Sequence, residues 1–174
     1  NSSRKFPLLQ NYFFCLYILR NSMLPTIGKP APDFTAPIDD GTTISLSDFR
    51  GKPIILYFYP QDDTETCTKQ ACAFRDNMER LTSKGAVVIG VSPDSVQLHT
   101  KFKTKYDLNF MLVSDEDKSI CNTYGVWAMK SLYGRDYMGV VRTTFVINAD
   151  GIITHIFTNV RIKGHVDKVL DALE

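Results

Sequence analysis

Hydrophobic and polar positions along the chain form blocks that predict strands and helices in alternation. Continuous apolar runs at residues 54–59 and 86–91 are typical of strands that are buried on both faces. Between these runs, apolar residues recur at helical spacing over residues 65–83, which predicts a helix with one inward face. This segment of the chain is therefore expected to form a strand–helix–strand unit.

The same reasoning extends to the rest of the chain. Ser92 and Pro93 predict the start of a second helix, and a turn at residues 148–151 predicts a hairpin. The further predicted elements are an edge strand at 42–45, the second helix with its stripe of Leu98, Phe102 and Tyr106, a strand at 110–113, a helix at 117–124, hairpin strands at 143–148 and 152–157, and a last helix at 165–173. Residues 126–142 are expected to be irregular. These elements predict a single α/β domain, with helices on both faces of a mixed sheet.

The amino-terminal part differs in pattern from the rest. Residues 12–19 form one apolar run, and no acidic residue precedes Asp33. The run is short for a signal peptide, lacks a small-residue cleavage site and is too short to cross a bilayer. We interpret residues 1–24 as an upstream extension, with a targeting segment as the alternative, and residues 25–174 as the domain. Cys15 receives no role.

Composition and charge narrow the class of protein. Of 174 residues, 44% are hydrophobic and 22% charged, with a formal net charge of +1. This near-neutral balance predicts no bulk electrostatic binding to nucleic acid or to a membrane. The four cysteines are too few and too irregularly spaced for a disulfide scaffold. We expect a cytoplasmic protein in which a cysteine carries out chemistry.

Cys67 is the strongest candidate for a reactive cysteine. Thr64 is a good N-cap residue, which places Cys67 in the first turn of the predicted helix. The N–H groups and dipole at a helix start favour an anion, and the anionic thiolate is the nucleophilic form of cysteine. The site would also lie at the carboxyl end of a buried strand, where open α/β sheets bind ligands. The alternative is that Cys67 is a small buried hydrophobic residue.

Cys72 lies on the same predicted helix, but on another face. Five residues turn the helix by roughly 140° and separate the two Cα atoms by about 8–9 Å, beyond the ~4.4–6.8 Å that disulfides span. The two cysteines can bridge only if the start of the helix unwinds. A metal site is not expected, because the C-x-x-C spacing typical of zinc sites is missing and His99, His155 and His165 are scattered. These histidines are expected to be surface groups.

Several motifs together resemble a known family. Pro60, Thr64 and Cys67 form a P-x-x-x-T-x-x-C pattern that resembles the signature of peroxiredoxins. The Cys67–Cys72 spacing is similar to that of the bacterioferritin comigratory protein, or peroxiredoxin Q, subgroup. The resemblance extends from about Gly28 to the carboxyl terminus and includes the segments 112–115, 124–127, 142–145 and 150–151.

The resemblance implies a thioredoxin-like fold and the reduction of hydrogen peroxide or organic hydroperoxides without a cofactor. It implies that Cys67 is the peroxidatic cysteine and Cys72 the resolving one, with thioredoxin or a similar dithiol as the reductant. It also implies a peroxide pocket built from Thr64 and Arg142, with Pro60 shielding the thiolate and the backbone N–H of Thr66 beside it. Without the resemblance, Arg142 would be interpreted as a surface charge.

One departure from the family pattern affects the expected reactivity. Glu65 and Thr66 stand where the family has Pro-Gly, and a carboxylate two residues from Cys67 disfavours the thiolate. We therefore predict slower reaction with peroxide or an altered substrate preference.

Other functions and roles stay open. A dithiol–disulfide exchanger and a non-catalytic redox sensor are the alternative functions. Cys121 is expected to be a core thiol, with a resolving role as the alternative. The family resemblance implies a monomer, with a dimer as the alternative.

Overall fold

The protein is described by a computed structural model that covers residues 24–174. The interpretation of residues 1–23, including Cys15, lies outside the described residues. The strands are β1 (Thr35–Pro37), β2 (Thr43–Ser45), β3 (Ile54–Phe58), β4 (Val87–Ser92), β5 (Met111–Ser114), β6 (Trp127–Leu132), β7 (Arg135–Val140), β8 (Thr143–Ile147) and β9 (Ile153–Phe157). The helices are α1 (Glu65–Asp76), α2 (Met78–Ser83), α3 (Val96–Tyr106), α4 (Ser119–Thr123) and α5 (His165–Ala172), with a 3-10 helix at Leu46–Phe49. Within this part of the chain, no helix combines the length and apolar character that crossing a membrane requires.

A mixed five-stranded sheet forms the centre of the domain, in the order β5-β4-β3-β8-β9. Strand β3 pairs in parallel with β4 and antiparallel with β8. All five residues of β3 are buried, as its continuous apolar sequence predicts. The predicted mixed sheet is therefore confirmed, and β3 is its central strand.

Side chains of β3 alternate between two hydrophobic cores, one on each face of the sheet. Leu56 and Phe58 belong to the core that contains Tyr124 and α4 residues. Ile55 and Tyr57 belong to the core that contains side chains from α1, α2, α3 and α5. Helices therefore cover both faces, and the predicted thioredoxin-like α/β fold is confirmed.

Three local predictions were wrong. The helix expected at residues 65–83 is interrupted at Asn77, which is the C-cap of α1 and the N-cap of α2 and whose Nδ2 donates to the Ala73 carbonyl at 2.8 Å. Helix α3 begins three residues later than expected, because the Ser95 side chain accepts a hydrogen bond from the Leu98 N–H and caps it. The stretch expected to be irregular forms the β6–β7 hairpin.

Candidate active site

Cys67 lies in the first turn of α1, where the sequence predicts it, and its side chain is only 2% exposed. The first backbone hydrogen bond at this end runs from Thr68 N–H to the Thr64 carbonyl at 2.9 Å. The N–H groups of residues 65–67 precede that bond, so they have no partner within the helix. Together they give Cys67 an electropositive backbone environment.

Thr64 occupies the N-cap position in an extended conformation, with φ −86° and ψ 159°. Its side chain does not cap the helix. Instead, Oγ1 donates to the Gln61 carbonyl at 3.1 Å. The predicted cap position is correct, but the hydroxyl stabilises the preceding loop rather than the helix N–H groups.

Arg142 is brought to Cys67 by the pairing of β8 with β3. Thr143, the first residue of β8, lies opposite Phe58 at the end of β3, so the preceding Arg142 reaches the loop that leads into α1. Its Nη2 donates to Cys67 Sγ at 3.1 Å. A permanently charged guanidinium therefore lies directly against the sulfur atom, where it stabilises negative charge that develops during a reaction.

Gln70 holds the other side of the guanidinium, and sequence reasoning missed it. Its Oε1 accepts from Arg142 Nη1 at 2.6 Å, and the side chain is 1% exposed. Gln70 lies three residues after Cys67, so both side chains project from the same side of α1. This spacing, combined with a polar residue on a buried face, was the available signal. The backbone of Arg142 is held separately, because its carbonyl accepts a hydrogen bond from the Val160 N–H at 3.1 Å.

The negative charge of Glu65 is paired with a neighbouring lysine. Its carboxylate lies 2.9 Å from Lys69 Nζ, and its side chain is 83% exposed. The Lys69 ammonium, chiefly through its hydrogen bond, lowers the pKa of Glu65. Lys69 and solvent therefore weaken the repulsion that Glu65 was predicted to exert on a thiolate. Of the other residues expected in the peroxide pocket, Pro60 is half-buried and Thr66 is exposed.

The other thiols differ in environment. Cys67, Cys72 and Cys121 are all free, and Cys72 is half-buried on intact α1. Cys121 is buried, and this burial, followed by the nearby Asp115 carboxylate, raises the pKa of its thiol far above the usual range. The structure thus favours the core role of Cys121 over a resolving role.

The prediction that the histidines are surface groups was wrong for two of three. His99 is 0% exposed and His165 is 4% exposed, whereas His155 is exposed. His165 Nε2 lies 2.9 Å from Thr144 Oγ1. Burial, with the Lys168 and Arg142 charges as lesser causes, lowers the pKa of His165 to about 4.

A cleft of about 440 Å³ opens beside Arg142. It lies between the β6–β7 hairpin and the segment that follows β9. Its lining is mostly apolar or neutral, with two cations, and consists of Met129, Lys130, Val141, Arg142, Asn159 and Val160.

Comparison with known proteins gives a consistent result. The sequence profile of the AhpC/TSA family matches residues 27–156. A putative peroxiredoxin bcp of Coxiella burnetii is 48% identical over 147 residues, which cover 84% of this chain and 97% of that protein. Peroxiredoxin Bcp of Bacillus subtilis is 44% identical over 148 residues, covering 85% of this chain and 94% of that one.

Solved structures agree with these relatives. Xanthomonas campestris peroxiredoxin Q superposes with a TM-score of 0.77 at 34% identity, covering 80% of this chain and 89% of that chain. A Xylella fastidiosa PrxQ mutant gives a TM-score of 0.81 at 31% identity, covering 86% and 95%. The family resemblance of the sequence is thereby confirmed: the chain belongs to the AhpC/TSA family, in its Bcp or peroxiredoxin Q group.

Proposed function

We propose that this protein is a thiol-dependent peroxidase that reduces hydroperoxides through Cys67, resolved by Cys72. The observation that carries the proposal is the 3.1 Å contact between Arg142 Nη2 and a buried thiol at a helix start. Helix end and guanidinium both favour the thiolate, which is the form that attacks peroxides.

In the first step, the Cys67 thiolate attacks the terminal peroxide oxygen. A sulfur–oxygen bond forms, the oxygen–oxygen bond breaks, and the leaving oxygen takes up a proton as water or an alcohol, which leaves a sulfenic acid. Arg142 and the N–H groups of Thr66 and Cys67 stabilise the negative charge that develops on the leaving oxygen. The Thr64 hydroxyl oxygen accepts a hydrogen bond from the peroxide. Pro60 limits the access of water to the sulfur.

In the second step, Cys72 resolves the sulfenic acid. Its thiolate attacks the Cys67 sulfur, a disulfide forms, and the sulfenic oxygen leaves with a proton as water. Since an intact helix holds the two Cα atoms too far apart, the first turn of α1 unwinds before this step. An external dithiol then reduces the disulfide by exchange and restores both thiols.

The cleft beside Arg142 supports organic hydroperoxides as substrates along with hydrogen peroxide. Met129, Val141 and Val160 offer apolar surface to an alkyl chain whose peroxide group lies at Arg142. Alkyl peroxide reduction is an activity of the Xanthomonas campestris bacterioferritin comigratory protein, which superposes on this chain with a TM-score of 0.77. We extend that substrate class to this chain.

The reduction of the Cys67–Cys72 disulfide requires a dithiol donor and a compartment in which that donor is kept reduced. The proposed donor is thioredoxin or a similar dithiol protein, and the proposed compartment is the cytoplasm, where such donors are kept reduced. The proposed working form is a monomer, because both cysteines and Arg142 come from one chain.

A coupled assay with peroxide, thioredoxin, thioredoxin reductase and NADPH tests the function. Multiple turnovers are expected for the wild type and for Cys121→Ser, and none for Cys67→Ser. Cys72→Ser is expected to reduce one peroxide per chain and then stop as a sulfenic acid. Stoichiometric oxidation of the wild type without turnover would contradict the peroxidase and favour the redox sensor.

A further inference from the structure

The loop between β3 and α1 is held by a buried chain of hydrogen bonds that the proposed mechanism does not use. Asp62, five residues before Cys67, is 8% exposed. Its Oδ1 accepts from the Tyr59 hydroxyl at 2.6 Å, and its Oδ2 lies 2.6 Å from Nδ1 of His99. His99 comes from α3 and is fully buried. Helix α3, which packs in the same core as α1, thus contacts the loop that leads into the helix carrying Cys67.

Both ring nitrogens of His99 are engaged. Nε2 lies 2.9 Å from the Val113 carbonyl, which can only accept, so Nε2 carries a hydrogen. The remaining nitrogen, Nδ1, forms the short hydrogen bond with the Asp62 carboxyl group. Asp94 joins the group through its Oδ2, which accepts from Asp62 N–H at 2.8 Å.

This group satisfies its own hydrogen-bonding capacity. The ligand atoms of Asp62, Asp94 and His99 lie within 4.8 Å of one another, a separation that a metal ion could bridge. The His99 nitrogen that a metal would need, Nδ1, is already hydrogen-bonded to Asp62. These hydrogen bonds therefore hold the loop before α1 in place, and they leave no free ligand atom on His99 for a metal.

A second contact joins the loop and α3 at the surface. Asp63, with a φ of 56°, places its carboxylate 2.7 Å from Lys105 Nζ and 2.7 Å from the Tyr106 hydroxyl. This ion pair is exposed and is screened by water and salt. The buried Asp62–His99 pair, which water does not screen, is the stronger of the two attachments.

We propose that His99 is a positioning residue: by holding Asp62, it sets the balance between the folded start of α1, which reacts with peroxide, and the unwound start, which forms the disulfide. The proposal rests on the function proposed above. Only the folded form keeps Cys67 against Arg142, and only the unwound form brings Cys67 to Cys72. An attachment to the loop just before α1 favours the first form, so weakening it shifts the population toward the second.

The test follows the two steps separately in His99→Gln. Rapid mixing with hydrogen peroxide is expected to show Cys67 oxidation slowed by about tenfold or more, and disulfide formation from the sulfenic acid accelerated by about threefold or more. Hydrogen exchange at the amides of residues 65–69 is expected to speed up in the reduced protein. A general loss of stability does not move the two rates in opposite directions.

The matched control is His165→Gln, which removes another buried histidine, on α5 and bonded to Thr144. It is expected to lower the midpoint of unfolding while the ratio of the two rates stays at the wild-type value. If His99→Gln does not fold, Tyr59→Phe serves as the test variant. It removes only the hydroxyl that donates to Asp62 and conserves the volume of the core. The same opposite changes, smaller in size, are expected.

Unchanged rates in a folded variant, or equal slowing of both steps as in a destabilised protein, would overturn the proposal. The proposed function is tested separately, because if it is wrong the wild-type protein shows no turnover in the coupled assay. Hydrogen exchange needs no peroxide, so it still reports whether His99 holds the start of α1. Unaltered exchange in both variants would overturn the positioning role by itself.

Discussion

At Cys67, two sources of positive potential converge on one sulfur atom. One is the amino-terminal end of α1, and the other is the Arg142 guanidinium at 3.1 Å. Gln70 fixes the guanidinium from its second nitrogen, so the charge is oriented before a substrate arrives. This arrangement costs little reorganisation during the reaction.

Arg142→Met tests the guanidinium. Loss of a preorganised charged donor is expected to slow Cys67 oxidation by about 10²–10³-fold, with the unfolding midpoint little changed. Arg142→Lys keeps the positive charge but lacks the two guanidinium nitrogens that contact Cys67 Sγ and Gln70 Oε1. An intermediate rate of Cys67 oxidation is therefore expected. The matched control is Arg135→Met, an exposed position on β7. Stopped-flow oxidation rates equal in both methionine variants would contradict the role of Arg142.

Glu65 is the second prediction at this scale. Because Lys69 pairs with it at the surface, Glu65→Gln is expected to accelerate Cys67 oxidation by less than about threefold. Lys69→Gln, which leaves the carboxylate unpaired, is expected to slow it. The second-order rate constant with hydrogen peroxide at low and high salt measures both effects. An acceleration of about tenfold or more in Glu65→Gln would show that the family departure at this position dominates reactivity.

At the scale of elements, continuous apolar runs and a turn motif predicted the central strands, because burial on both faces leaves a strong pattern. The β6–β7 hairpin was missed because its side chains are largely exposed and show no alternation. On α3, the inward face differs from the predicted stripe of Leu98, Phe102 and Tyr106. His99 and Phe102 are buried there, whereas Leu98 is 47% exposed.

The fit between β4 and its neighbours gives an element-scale prediction. A Cβ at Gly90 would lie 3.0 Å from Leu112 Cδ2 and 3.0 Å from Tyr57 Cζ, and both of those side chains are buried. Gly90→Ala is therefore expected to destabilise the fold by about 1–3 kcal/mol. The control is Gly139→Ala, whose nearest neighbour is the flexible Lys130 side chain. Urea unfolding measures both, and equal midpoints would contradict the close packing at Gly90.

At the scale of the whole molecule, the site depends on contacts that no local pattern shows. The family motif and helix position predicted Cys67 and Cys72, and the resemblance alone pointed to Arg142. Gln70, Asp62 and His99 required the tertiary fold, because the sequence does not show that α3 packs against the loop before α1. The histidines were assigned to the surface since burial of a polar ring depends on partners distant in the chain, here Asp62, Val113 and Thr144.

Burial of His165 makes the stability of the whole domain depend on pH. Its folded pKa of about 4 lies below the ordinary 6.5, so below pH 6.5 the unfolded chain takes up a proton that the folded protein does not. The contribution is present in full above pH 6.5 and is lost as pH falls toward 4, by roughly 2–3 kcal/mol. Urea unfolding across this range measures it. The slope is expected to flatten in His165→Gln but not in the exposed control His155→Gln, and an unchanged slope in His165→Gln would contradict the assignment.

The proposed catalytic cycle depends on two linked steps: peroxide oxidises Cys67, and Cys72 then forms a disulfide with it. Trypsin cleaves after Lys69, between the two cysteines, so a Cys67–Cys72 disulfide joins two separate peptides. Mass spectrometry of the digest after one equivalent of hydrogen peroxide, with free thiols blocked, is the most direct measurement. The proposed mechanism predicts the linked pair of peptides with Cys121 recovered as a blocked thiol. A link from Cys67 to Cys121, or oxidation elsewhere with Cys67 still a free thiol, would contradict it.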